Sequence, residues 1–222
     1  VEKLIIDSIS KSFNKREKRN ILDGIDFKIT KGEMIAITGP SGSGKSTLLN
    51  IIGCIDFPDE GSIYVDNIDV KSLTMKEIAL LRNQTFGYVF QNFLLLPQYT
   101  VYENIELPLY YRKTNKKTKK KDIMETIQYL GLSEFYNKYP SELSGGQQQR
   151  VAIGRALVGK PDIILADEPT GSLDQENGKM VLNYLKDLNS KGSSIIIVTH
   201  DHFIANQCNR IINLVDGKIK DI

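Results

Sequence analysis

Nine consecutive residues, Gly39-Pro40-Ser41-Gly42-Ser43-Gly44-Lys45-Ser46-Thr47, carry the G-x-x-x-x-G-K-S order of a phosphate-binding loop. Gly39, Gly42 and Gly44 leave out the Cβ atoms that would keep backbone N–H groups from closing around an anion, and Ser41 and Ser43 lie in the same turn. Lys45 supplies a point charge able to reach β- and γ-phosphates. Ser46 offers a hydroxyl to Mg²⁺, and Thr47 reaches the inner phosphates. The apolar run Met34-Ile35-Ala36-Ile37 precedes the loop and Leu48-Leu49-Asn50-Ile51-Ile52 follows it, so the segment reads as strand, loop, helix rather than an ordinary glycine turn.

Farther along, Ser144-Gly145-Gly146-Gln147 sets a hydroxyl at a helix start with Gln three residues later, the pattern of a capping box. Alone it reads as a capped helix. Its two glycines also expose backbone N–H groups, which makes a second anion-binding helix terminus in a chain that already has one. One terminal phosphate gripped by both is built most simply head-to-tail across a twofold, between two copies of the chain.

Ligands of open α/β sheets bind beyond the carboxyl ends of the strands. Asp167-Glu168 follow the run ending at Ala166, Gln91 follows Phe90, and Thr199-His200-Asp201 follow Val198. By itself an Asp-Glu pair reads as a solvated loop. Downstream of a phosphate loop, Asp167 reads as a hard-oxygen Mg²⁺ ligand with Ser46, and Glu168 as the group that orients or deprotonates the attacking water. Gln91 reads either as a loop hydrogen bond or as a nucleotide contact. His200 is one of two histidines, and a ring N–H beside a γ-phosphate would stabilise charge building up during transfer. Outside this constellation it would read as structural; His202 reads as surface.

The elements that position these residues fall into two kinds. Short β-rich runs cover Leu4-Ile5-Ile6, Ile25-Asp26-Phe27-Lys28-Ile29, residues 34–38, Ile63-Tyr64-Val65 and Gly87-Tyr88-Val89-Phe90. From about Asn92 to Val158 the periodicity is helical, with helices expected over 101–107, 121–130 and 147–158; strands return at 163–166, 195–198 and 211–215. The runs near 35, 164 and 196 do not alternate, which suits strands buried on both faces of a parallel sheet. The division expected is a nucleotide-binding core with β subdomain over 1–91 and 162–222, and a helical subdomain over 92–161.

At 222 residues the chain suits one large domain, or a core with a subdomain. Net charge is +2 with 25% charged residues, a balance that demands neither nucleic acid nor an anionic membrane. The basic stretch 112–121 reads as a solvated linker running into a helix, with a polyanion site as the alternative. No run approaches a membrane span and the start shows no signal-peptide pattern, so work in the cytoplasm is expected. Cys54 and Cys208 have no metal spacing and read as buried reduced thiols.

Leu143-Ser144-Gly145-Gly146-Gln147-Gln148-Gln149-Arg150 resembles the signature motif of the ATP-binding cassette (ABC) ATPases, and the resemblance extends over essentially the whole chain. It implies a P-loop α/β fold of ABC ATPase type: a mainly parallel core sheet, an antiparallel β subdomain and an inserted helical subdomain. Residues 39–47 then correspond to Walker A, Gln91 to the Q-loop with a place near Mg²⁺, and 163–168 to Walker B with Glu168 as catalytic carboxylate. Ser172-Leu173-Asp174 corresponds to the D-loop and His200 to the switch histidine. Phe13 stands where the family carries an aromatic on adenine, usually Tyr; a core Phe is the other reading. Residues 50–56, 100–109 and the triple Gln resemble the MacB/LolD branch, ATPases of macrolide and peptide exporters and lipoprotein-release systems. Gly154, where those proteins commonly carry Ala, is expected to loosen its helix by roughly 1 kcal/mol.

The resemblance implies Mg-ATP as cofactor, hydrolysis, a homodimer closing on two nucleotides, and transmembrane permease subunits contacted near 91–102 at the cytoplasmic face of the membrane. No nucleic-acid partner is expected. The rival from another class is a soluble ABC ATPase acting on DNA or ribosomes through its Lys-rich stretch; such relatives resemble paired cassettes or carry long coiled-coil insertions. A simple P-loop kinase or GTPase is the further alternative, disfavoured by residues 143–150.

Overall fold

The computed structural model describes residues 1–12 and 20–220, so Phe13 lies outside the described residues. In chain order these form β1 (Glu2–Ser12), β2 (Asn20–Thr30), β3 (Met34–Thr38), α1 (Lys45–Ile52), β4 (Glu60–Val65), β5 (Ile68–Asp69), α2 (Met75–Thr85), β6 (Phe86–Val89), α3 (Val101–Glu106), α4 (Lys116–Tyr129), α5 (Gly145–Leu157), β7 (Ile163–Asp167), α6 (Gln175–Ser190), β8 (Ser194–Val198), α7 (His202–Ala205), β9 (Arg210–Val215) and β10 (Lys218–Lys220). The chain divides into two compact units, Val1–Arg82 with Leu188–Ile222, and Asn83–Asp187.

In the first unit, β2, β1, β4 and β5 pair in that order as an antiparallel sheet. From Gly24 onward β2 alternates, with Ile25, Phe27 and Ile29 buried between exposed neighbours, as a sheet with one covered face requires. β3 behaves differently. Met34, Ile35, Ala36 and Ile37 are all buried, because β8 and β9 flank it in parallel and α1 and α7 pack in the same unit. β10 then pairs antiparallel with β9. The parallel registers set Ile37 opposite Val198 and Ile212, so the carboxyl ends of β3, β8 and β9 share one edge.

In the second unit β6 and β7 run parallel, Val89 opposite Ala166. α5 lies against β6, α3 and α4. Gly154 is the point of closest approach. A Cβ there would stand 2.9 Å from both Ile105 Cδ1 and Leu130 Cδ1, two side chains with no exposure. The glycine thus gives up helix propensity but admits two buried methyls, so the expected loosening is set against packing.

Three helices, α2, α6 and the one-turn α7, have no counterpart in the periodicity. α6 opens on the polar run Gln175-Glu176-Asn177-Gly178-Lys179 and buries only Val181, Leu182 and Leu185, too thin a stripe to stand out. α4 starts at Lys116 instead of 121, since Asn115 caps it by accepting the Thr118 N–H at 2.8 Å. Most of the basic stretch is therefore helix, not linker. Cys54 is buried as expected, whereas Cys208 is only half-buried. No helix among the described residues is long and apolar enough to cross a membrane.

Candidate nucleotide-binding site

The first unit brings Gly39–Thr47 and His200 to one edge: the loop follows β3, and His200 follows β8, whose Thr199 N–H donates to the Ile37 carbonyl at 3.1 Å. Gly39 is obligatory, because a Cβ at its φ of 146° would overlap the Leu214 carbonyl oxygen. Gly44, at φ 99°, turns the chain into α1 in the left-handed region. That helix start has no side-chain cap and no acidic residue in its first turn, so the helix itself supplies no anion to its leading N–H groups and positive dipole end.

The Lys45 ammonium donates to the Gly39 carbonyl at 2.9 Å and the Pro40 carbonyl at 2.8 Å. Ser43 Oγ is buried with no hydrogen-bond partner among the described residues. A buried unpaired hydroxyl, uncapped amides and a lysine folded onto carbonyls fit a bound phosphate chain. Ser46 is exposed and Thr47 half-buried on the first turn, while Ser41 and Gly42 are exposed; nothing would obstruct a Cβ at Gly42 within 4 Å. His200 and His202 are both exposed.

In the second unit Gln91 follows β6 while Asp167 ends β7 and Glu168, Ser172 and Asp174 follow it, with Ser172 reaching back to Gln91. Glu168 has a φ of 45°, a left-handed conformation that costs a non-glycine residue about 1–3 kcal/mol unless its surroundings impose it. Here the Gly171 N–H donates to the Glu168 carbonyl at 3.0 Å and the Leu173 N–H to Thr170 at 3.0 Å, closing a tight turn. Ser172 Oγ donates to the Gln91 carbonyl at 3.3 Å, and a Cβ on Gly171 would lie 3.1 Å from Gln91 Nε2. Asp174 accepts the Asn177 backbone N–H at 2.9 Å and its side-chain amide at 2.7 Å; these bonds, backbone first, hold its carboxyl below the ordinary carboxylate range.

Ser144 and Gln147 form the expected box: Ser144 Oγ accepts the Gln147 N–H at 3.3 Å, and Gln147 Oε1 accepts the Ser144 N–H at 2.8 Å. The two glycines after Ser144 differ. Gly145 is exposed with no atom within 4 Å of where its Cβ would stand; Gly146 is buried against the Asn177 amide.

Four supporting residues escaped sequence reasoning. Asn177 packs on Gly146 while bonded to Asp174. Gln149, with no exposure, donates to the Pro169 carbonyl at 2.6 Å. Arg155 donates to the carbonyls of Leu94 at 2.5 Å and Phe93 at 2.7 Å, and burial pulls its pKa down. Asn104, fully buried, accepts the Leu96 N–H at 2.8 Å and donates to Leu96, Tyr99 and Thr100 carbonyls, pinning the irregular segment beyond Gln91. Sequence carries little signal for them: Gln149, for example, lies between the polar Gln148 and Arg150, and burial alone sets it apart.

A strand, a glycine loop, a lysine and an uncapped helix define a P-loop nucleotide-binding protein. The family model described as ABC transporter matches residues 22–171, and the chain belongs to that family. It is 44% identical over 217 residues to the ABC transporter ATP-binding protein YvrO of Bacillus subtilis, covering 97% of this chain and 95% of that one. It is 46% identical over 217 residues to the syringafactin export ATP-binding/permease protein SyfD of Pseudomonas syringae, 97% of this chain but 33% of that protein, so the chain spans about a third of such export relatives. The cassette MJ0796 is an ABC transporter ATP-binding protein of Methanocaldococcus jannaschii. Its dimeric post-hydrolysis structure bound to ADP and Pi superposes with a TM-score of 0.90 at 42% identity, covering 98% of this chain and 97% of that one.

Proposed function

We propose that this chain binds and hydrolyses Mg-ATP as the nucleotide-binding subunit of an ABC transporter, closing as a homodimer on two nucleotides to drive permease subunits. One observation carries the reading: the chain holds two anion-ready helix starts, the uncapped α1 behind the glycine loop and the Ser144 turn with its open Gly145. The solved dimer of MJ0796 with ADP and Pi, and the joining of a similar segment to a permease in SyfD, support it.

Each residue has a role in this scheme. Gly39, Ser41, Gly42, Ser43, Gly44, Lys45 and Thr47 hold the phosphates, Lys45 exchanging loop carbonyls for phosphate oxygens. Ser46, Asp167 and Gln91 provide the oxygen ligands for Mg²⁺, which when bound neutralises charge on the phosphates. Glu168 accepts the proton of the attacking water, and His200 donates to the terminal phosphate. Ser144, Gly145, Gly146 and Gln147 of a second copy close over that phosphate, with Asp174 at the interface. Phe13 stacks on adenine.

ATP favours the closed dimer because only there are both grips made, and such differential affinity is what lets a ligand drive a conformational change. Residues 91–102 receive the permease, and the subunit works at the cytoplasmic face of the cell membrane. The finer reading is MacB-like export of peptide or drug, or a lipoprotein-release system. Residues 92–161 act as the helical subdomain and the remainder as the core. The test is Glu168→Gln: ATP binding is retained, turnover nearly abolished, and an ATP-dependent dimer accumulates on size exclusion. Hydrolysis at the parental rate would remove Glu168 from its role.

A further inference from the structure

Gln149 is a fully buried polar side chain on α5, a helix whose other inward residues include Val151, Ala152 and Ile153. Its Nε2 donates to the Pro169 carbonyl at 2.6 Å, and its Oε1 has no hydrogen-bond partner among the described residues. A leucine or methionine would remove the orphaned Oε1 but leave the Pro169 carbonyl without its donor, one unpaired acceptor in place of another. What the glutamine provides is a donor to the one carbonyl immediately after Glu168.

That carbonyl sits in a constrained turn. Glu168 is held at φ 45°, Pro169 is buried with its ring fixing the next φ, and Gly171 closes back on the Glu168 carbonyl at 3.0 Å. A left-handed glutamate persists only where its surroundings fix the turn around it: the Gly171 N–H holds the plane between Glu168 and Pro169, and the next plane along must be held as well. Gln149 fixes the plane between Pro169 and Thr170, from a helix that is itself packed against α3, α4 and β6 within the same unit.

We infer that Gln149 is a positioning residue for Glu168: its buried amide holds the Pro169 carbonyl and so keeps the Glu168 turn in its left-handed conformation. The inference rests on the catalytic role proposed for Glu168. Gln149→Met keeps the length and volume, removes the donor and removes the orphaned oxygen. Without nucleotide, the expected result is at least tenfold faster amide exchange in a peptide spanning 168–174, with little change in thermal midpoint. With Mg-ATP, kcat falls at least tenfold while KM and nucleotide affinity stay near parental values, because the phosphate loop is untouched.

In a Glu168→Gln background the second substitution adds no further loss in single-turnover hydrolysis, since both act through one carboxylate. Unchanged exchange and unchanged kcat in Gln149→Met overturn the inference. So does a fall in thermal midpoint with kcat per folded molecule intact, which marks a packing role only. Parental turnover in Glu168→Gln alone would instead strike at the proposed function, which keeps the two failures apart.

Discussion

Adjacent glycines at 145 and 146 give opposite responses to the same added methyl. In Gly146→Ala the new carbon would stand 2.5 Å from Asn177 Cγ and 3.0 Å from its Nδ2, and would overlap Oδ1, so the amide must leave. Leaving breaks its 2.7 Å donation to the Asp174 carboxylate. Adding a methyl to a packed site costs about 1–3 kcal/mol, and the half-buried Asn177 amide, which can swing away, places this one toward the lower end. In Gly145→Ala nothing lies within 4 Å of the new methyl.

Both substitutions gain the same helix propensity, at most about 1 kcal/mol, so it cancels when the variants are compared with each other. The difference left is the Asn177 contact alone, about 1.5 kcal/mol, or roughly 3–6 °C in a chain of this size. Thermal unfolding of parent and both variants is expected to rank Gly145→Ala at or above the parent and Gly146→Ala below Gly145→Ala by that margin. Turnover is expected to fall in Gly145→Ala in spite of its stability, because in the proposed dimer that open space would receive a phosphate. Equal midpoints for the two variants, or Gly146→Ala the more stable, would refute the account of the turn.

Two other expectations are independent of that pair. Ser144→Arg should leave nucleotide binding by the monomer largely intact yet prevent ATP-dependent dimerisation; normal dimerisation on light scattering would contradict a shared site. Burial pushes the Cys54 thiol from 9.0 up to about 11, with Arg82 pulling it partly back. The unfolded chain therefore ionises first, so this stability is whole below about pH 9 and lost as pH rises toward about 11. Denaturation midpoints should fall more steeply over that range for the parent than for Cys54→Ala, and parallel slopes would sink the assignment.

The glycine loop and the Ser144 cap were legible in the sequence because their motifs are local: such a loop needs closely spaced glycines and a lysine, and a helix cap needs Ser and Gln three apart. Strands β3, β7 and β8 were legible for a similar reason, since burial on both faces leaves unbroken apolar runs. What stayed hidden depends on residues distant in sequence. Asn177 is thirty-odd positions from Gly146, and its type carries no mark of a glycine it will press against. Gln149 looked like one of three equal glutamines until burial singled it out. α6 hid because its first turn binds Asp174 instead of a core. Gly154 read as a defect from propensity alone, and only the Ile105 and Leu130 methyls show what its missing carbon admits.

Arg155 ties the backbone just past Gln91 to the far end of the helix that begins at the Ser144 cap. Phe93 and Leu94 are therefore held by their own carbonyls to the last turn of that helix. The Gln91 segment and the serine-glycine turn are thus anchored to opposite ends of one thirteen-residue helix.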